Sequence, residues 1–247
     1  MATLDEQIQT IKRKHYEKDG VTLITVTGDR PLCILRCLYY LSRQTYEGPL
    51  QWLVVDDGKA HANLPDLNVI THIKRQNIKD KTKSFLGNMR DAIFNVKYNK
   101  ILIIEDDDWY SPEYVQLYYQ RLDNFDLVGE GPARYYNVQQ RRFRKWGNDN
   151  RASFCQTGLK SNVLHSLFIC CQKPTPFIDA RLWNKDIPRK LVFRDEYHCI
   201  GIKGMPGRKG IGSGHRPNDK YQKDPLMNEL EKWIGKEDTN FYREIKF

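Results

Sequence analysis

The apolar positions of the first half come in short β-branched runs that alternate with longer stretches of helical spacing. After a polar leader that predicts a helix, Val21-Thr22-Leu23-Ile24-Thr25-Val26-Thr27 predicts a strand, and Gly28-Asp29-Arg30-Pro31 breaks it. Leu32, Leu35, Leu38 and Tyr39 then recur at helical spacing through Leu41, with Pro31 where a first helical turn tolerates it. Gln51 to Val55 predicts a second strand and Val69 to Ile73 a third. Ser84 to Asn95 reads as a helix with Phe85, Met89, Ile93 and Phe94 along one side, and Ile101 to Ile104 as a fourth strand. A further amphipathic helix is expected from Ser111, capped by Ser-Pro-Glu. This alternation predicts an α/β fold, with a mostly parallel central sheet and helices on both faces.

The second half is less regular. Asp126 to Val128 and Gly158 to Val163 are candidates for strand or turn, Ser161 to Cys170 for a helix, and Leu191 to Phe193 and Cys199 to Ile202 for strands. The stretch from Gly204 to His215 is too rich in glycine for either regular element and predicts a loop. Pro225 to Trp233 suits a final helix. No Pro/Gly/Ser-rich linker or internal repeat divides the 247 residues, so one domain is expected.

A hydrophobic fraction of 40% beside 29% charged residues fits a protein with an ordinary core. The N-terminus has neither a basic nor an apolar signal region, and no run approaches the ~20 apolar residues of a bilayer span. The expected location is the cytoplasm. Six cysteines without a CxxC pair point to reduced, mostly buried thiols. Lys and Arg exceed Asp and Glu by 40 to 31, and the excess is local. Arg134 to Arg151 is basic with Tyr135, Tyr136, Phe143 and Trp146 interleaved, and Lys203 to Lys223 is a second basic run. Solvated surface accounts for a single run of this kind; two of them, one with aromatics, favour a polyanionic partner.

The strongest chemical signal is Asp106-Asp107-Asp108, which follows the apolar run Ile101–Ile104 and Glu105. Adjacent carboxylates repel unless a cation is present, and hard oxygen ligands at the carboxyl end of a strand suit Mg²⁺ or Mn²⁺, with a diphosphate completing the coordination. A solvated acidic turn is the alternative. Asp56-Asp57 repeats the pattern after the second strand. In the glycine-rich loop, backbone N–H groups can approach a phosphate, and Lys203, Arg208 and Lys209 add positive charge. Neither a P-loop nor a GxGxxG frame is present, which removes support for nucleotide hydrolases and dehydrogenases.

In order and spacing, Thr27-Gly28-Asp29-Arg30-Pro31, Val55-Asp56-Asp57-Gly58, Gly87-Asn88-Met89-Arg90-Asp91-Ala92 and Asp106-Asp107-Asp108 resemble the GT-A fold, nucleotide-sugar-dependent glycosyltransferases over roughly residues 21 to 120. The resemblance implies a nucleotide-sugar-binding first half and an acceptor-binding second half. Thr27, Asp29 and Asp56 or Asp57 would hold the uracil and ribose of a UDP-sugar, with Arg30 beside them. Arg90 would face the phosphates or the sugar. Asp106 and Asp107 would lie at the donor, and Asp106 and Asp108 would ligate the metal with His215, carried by a closing loop at 203–216. An inverting transferase also needs a general base. Phe177-Ile178-Asp179-Ala180-Arg181-Leu182-Trp183 looks like the segment that supplies it, which makes Asp179 the first candidate and Asp195 and Glu196 the next. The Glu-Asp pair usual after that segment is replaced by Asn184-Lys185-Asp186, so inverting or retaining outcome stays open. For Asp179 a helix N-cap is the alternative, and for Arg90 a pair with Asp91 or Asp106. The basic segments point to DNA carrying hydroxymethylated bases as acceptor, as in phage-type DNA glycosyltransferases. A glycan or lipid-linked sugar acceptor, and a non-catalytic nucleic-acid-binding protein, are the competing readings.

Overall fold

The computed structural model describes residues 2–194 and 197–247, so Asp195 and Glu196 lie outside the described residues. The first half builds α1 (Leu4–Arg13), β1 (Glu17–Thr27), α2 (Pro31–Ser42), β2 (Leu50–Asp56), β3 (Ile70–Lys74), α3 (Lys81–Asn95), β4 (Tyr98–Ile103), β5 (Trp109–Tyr110) and α4 (Tyr114–Asn124). The second half builds β6 (Leu127–Glu130), β7 (Pro132–Asn137), β8 (Arg142–Gly147), β9 (Thr157–Lys160), α5 (Leu164–Cys170), α6 (Ile178–Trp183), β10 (Lys190–Phe193), β11 (Cys199–Lys203), β12 (Gln222–Lys223) and α7 (Asn228–Glu244).

Seven strands form the central sheet in the order β10-β6-β9-β4-β1-β2-β3, with β4, β1, β2 and β3 parallel. Alternation along β1 explains the two cores. Val21 and Leu23 join the cluster that includes α2 and α4, whereas Ile24 joins the cluster on the face covered by α3 and α5. A strand buried on both faces leaves no place for an unpaired hydroxyl. Thr22 accordingly donates to Gln51 Oε1 at 2.9 Å, and Thr25 accepts from Trp52 Nε1 at 2.9 Å.

The connection from β1 runs to β2 on one side, while β4 returns to the other side of β1. Neighbouring loops therefore diverge at the carboxyl ends of β1 and β4 and leave a crevice between them. That crevice is walled by a second sheet, ordered β12-β8-β7-β11-β5. Its hairpin β7–β8 was not anticipated from the sequence, and it brings the two basic runs together: Gln222 and Lys223 pair with Phe143 and Arg142. The start of α4 also differs from expectation. Its N-cap is Glu113 with no side-chain cap, and the Ser111 hydroxyl is instead engaged with His198 Nδ1 at 2.8 Å.

Candidate functional site

At the carboxyl ends of β1 and β4 lies a cavity of about 260 Å³ whose walls come from the β1–α2 turn, α3, the acidic turn after β4, α6 and the glycine-rich loop. Glu105, Asp106 and Asp107 line its floor, Asp108 is buried next to them without lining it, and these carboxylates are held by cations of the chain itself. Arg30 bridges Asp106 Oδ1 and Asp107 Oδ2, each at 2.5 Å, and Thr27 donates to Asp106 Oδ2 at 2.6 Å. Lys203, buried at the end of β11, approaches Asp108 Oδ1 at 2.7 Å, Glu105 Oε2 at 3.4 Å and Asp107 Oδ1 at 3.5 Å. Asp108 also accepts from the Ile202 amide at 2.8 Å.

Each carboxyl answers to its own surroundings. Burial raises Asp106 to about 6 against the pull of Arg30, and burial also carries Asp108 well above its ordinary value despite Lys203. Asp107 goes the other way, because Arg30, Lys203 and His215 together outweigh its burial. His215 lies with Nε2 at 3.7 Å from Asp107 Oδ2, and burial lowers it to about 4, so the imidazole is neutral near pH 7.

A hard divalent ion fits this donor set. Glu105, Asp107 and Asp108 each offer an oxygen within 4.8 Å of the others, and Asp108 Oδ2 is buried with no hydrogen-bond partner among the described residues. The set differs from the expected Asp106, Asp108 and His215: both Asp106 oxygens are already taken by Thr27 and Arg30, and Glu105 stands in their place.

The glycine-rich loop folds over the cavity. Arg208 donates its backbone amide to Asp29 O at 3.0 Å and its guanidinium to Asp57 Oδ1 at 2.5 Å. Gly207 has φ of 102°, and an added Cβ would press on the Asp29 carbonyl, so this close approach needs glycine. Asp57 is held below its ordinary value: its burial is outweighed by Arg208, Ser84 and Asn88. Lys209, Lys81 and His215 line the cavity as well. Arg30 Nε and Arg208 Nη1 are both buried and without a hydrogen-bond partner among the described residues, which leaves two guanidinium donors unspent beside it.

Other expected residues lie elsewhere. Asp29, at φ 54°, accepts from the Lys59 amide at 2.7 Å, and Asp56 accepts from the Gly58 and Ala62 amides at 2.8 and 2.6 Å, so both side chains fasten the loop after β2. Arg90 reaches the Cys171 carbonyl at 3.4 Å and does not line the cavity; Asp91 pairs with Arg75 instead. The residue of that segment that faces the site is Asn88. It shares a helix face with Ser84, four residues earlier, whereas Arg90 is rotated by more than half a turn. That phase was readable in the sequence.

Asp179 lies in the first turn of α6 and lines the cavity; the N-cap of that helix is Phe177, so Asp179 does not cap it. Burial raises its carboxyl, and its charge is felt by Glu105 on the floor. Tyr135 and Ser153, whose hydroxyls meet at 2.5 Å, join this wall and were not anticipated from the sequence. The basic hairpin divides by face. Lys145 pairs with Glu229 at 2.7 Å and Arg134 packs on Tyr197 and Trp233, on the side of α7. Arg142 and Arg144 share the opposite side with Tyr135, and Arg144 stacks on Trp146 with its guanidinium 3.7 Å from the ring centre.

No protein-family model and no curated protein sequence matches the chain. Solved structures do: the fold is the GT-A type of nucleotide-sugar glycosyltransferases, a mixed α/β architecture with a largely parallel central sheet. S. aureus TarS 1–349 in complex with UDP aligns at a TM-score of 0.54 with 12% identity, over 74% of this chain and 60% of that one. The Pyrobaculum calidifontis mannosyltransferase PcManGT, in complex with GDP-Man and Mn²⁺, aligns at 0.51 with 13% identity, over 81% and 63%. The chain spans less than two thirds of either. Among the described residues, no helix is long and apolar enough to cross a membrane.

Proposed function

We propose that the chain is a glycosyltransferase that takes a sugar from a nucleoside diphosphate, with UDP as the expected nucleotide, and passes it to an acceptor hydroxyl. The observation that carries this reading is the pair of buried donors, Arg30 Nε and Arg208 Nη1, that no described residue partners, beside a cavity at the switch point of a largely parallel sheet. Buried guanidinium groups without partners are costly, and an anionic diphosphate would satisfy them. Lys81 and Lys209 on the same walls add charge that stabilises a departing diphosphate. A Mn²⁺ or Mg²⁺ ion would be held by Glu105, Asp107 and Asp108, and when bound would neutralise part of the diphosphate charge.

Asp179 is the base. Its raised carboxyl lies on the wall formed by α6 and takes the proton of the acceptor hydroxyl as that oxygen bonds to the anomeric carbon. The bond from that carbon to the diphosphate oxygen breaks, and the electron pair leaves with the diphosphate. For the acceptor we favour DNA carrying hydroxymethylated bases. Support comes from the strip Arg142, Arg144 and Trp146, which shares a sheet face with the cavity-lining Tyr135 and offers guanidinium groups and a stacking surface.

Calorimetry with UDP, with and without Mn²⁺, tests the donor site: absence of binding in both would refute it. Incubation with a panel of nucleotide sugars and either hydroxymethylated or plain DNA, followed by nucleoside mass spectrometry, tests the acceptor. Glycosylated nucleosides from the modified DNA alone are the expected result.

A further inference from the structure

Lys203 is buried, 5% exposed, in the middle of the three residues that could hold a divalent ion. Its ammonium lies 2.7 to 3.5 Å from one oxygen of each of Asp108, Glu105 and Asp107, the position a shared cation would take. The backbone fixes it there. Lys203 ends β11, where it pairs with Asn137, and the preceding residue Ile202 gives its amide to the same Asp108 oxygen. Three carboxyls, Glu105, Asp107 and Asp108, thus converge on this one ammonium, while Arg30 takes Asp106 and the second oxygen of Asp107.

Resting on the glycosyltransferase reading, we propose that the Lys203 ammonium and the divalent ion are alternative occupants of one position, exchanged when the donor enters. Without donor, the ammonium holds Glu105, Asp107 and Asp108 together and blocks the ion. A diphosphate in the cavity gives that ammonium a second anionic partner, so it can leave the carboxylates as the ion takes them. The four-carbon stem allows this movement without a backbone change, because Lys203 itself lines the cavity. Ion and nucleotide then bind with positive coupling, and Lys203 is a positioning residue that enforces it.

The test is a Mn²⁺ titration by electron paramagnetic resonance on the full chain, with and without UDP, for wild type and Lys203→Met. In the absence of UDP the variant should bind Mn²⁺ tighter by roughly 10-fold or more, a change of the size that groups surrounding metal ligands produce. UDP should tighten Mn²⁺ binding in wild type and do so far less in the variant. A merely structural lysine would not yield a gain of metal affinity on removal. Equal Mn²⁺ affinity of the two proteins without UDP would overturn the proposal, as would equal coupling to UDP. Should the methionine variant fail to fold, Lys203→Gln carries the same comparison. Loss of UDP binding by both proteins would refute the donor site, while the Mn²⁺ comparison without UDP would still decide the role of Lys203.

Discussion

The cavity floor and the β7–β8 strip are built from the same kinds of side chain, yet their charges do different work. On the floor, Arg30, Lys203 and Arg208 are largely buried and each gives a donor to a carboxylate of the chain at 2.5 to 2.7 Å, with Arg30 Nε and Arg208 Nη1 left over. On the strip, Arg144 leans on Trp146, itself 37% exposed, and no described carboxylate pairs with it. Buried pairs repay their desolvation only while both partners stay, whereas exposed charges cost little and remain available to a partner in solution. The basic excess of a segment therefore does not measure what it offers a polyanion. Much of the second basic run, Lys203 and Arg208 above all, is consumed inside the protein.

The largest expected effect breaks the site where floor and acceptor wall meet. Asp179→Asn should lower transfer by about 10²- to 10⁴-fold, the range of a lost general base, with UDP affinity unchanged. Kinetics beside calorimetry check it; unchanged turnover would return Asp179 to a packing role. Next is the floor itself. Arg30→Ala leaves Asp106 and Asp107 buried and short of a cation, and should cost about 3–5 kcal/mol of stability in urea unfolding. A loss below about 1 kcal/mol would place Arg30 with the exposed pairs.

Smaller effects sharpen the contrast within the hairpin. Arg144→Gln should weaken duplex DNA binding and reduce the slope of log affinity against log salt by about 0.9 if it contacts a phosphate. Lys145→Gln should leave that slope alone, because the Lys145 ammonium lies on the other face with Glu229. Equal slopes for Arg144→Gln and wild type would remove the strip from acceptor binding.

A further effect concerns pH. Glu130 accepts from the His198 and Cys199 amides, and burial raises its carboxyl to about 8. A carboxyl raised in the folded state stabilises the fold below its unfolded value near 4.5, and that contribution is lost as pH rises through about 8. Unfolding midpoints between pH 5 and pH 8 should thus fall in wild type by one proton's dependence, and Glu130→Gln should flatten that slope.

The alternation of β-branched runs and helical spacing made β1, α2, β2, α3 and β4 legible, because the apolar residues of each repeat with the period of its own element. The β7–β8 hairpin was not legible. Its strands carry arginine and lysine on both faces, and what makes one face interior is α7, about 90 residues further on, whose Trp233 packs on Phe143. Local pattern cannot report a partner supplied from so far away. Asn88 was a different case: the helical phase that favours it over Arg90 was present in the sequence.

By itself the sequence determined an α/β chain with a largely parallel sheet and carboxylates delivered to the carboxyl ends of β2 and β4, since strand period and strand-end composition are local properties. Only the tertiary structure decided which carboxylates share a cation. Lys203 comes 95 positions after Asp108, on a strand that reaches the floor through the second sheet, and its ammonium groups Glu105 with Asp107 and Asp108 while Arg30 takes Asp106. Electrostatic pairing depends on distance and burial in space, and neither follows from position along the chain.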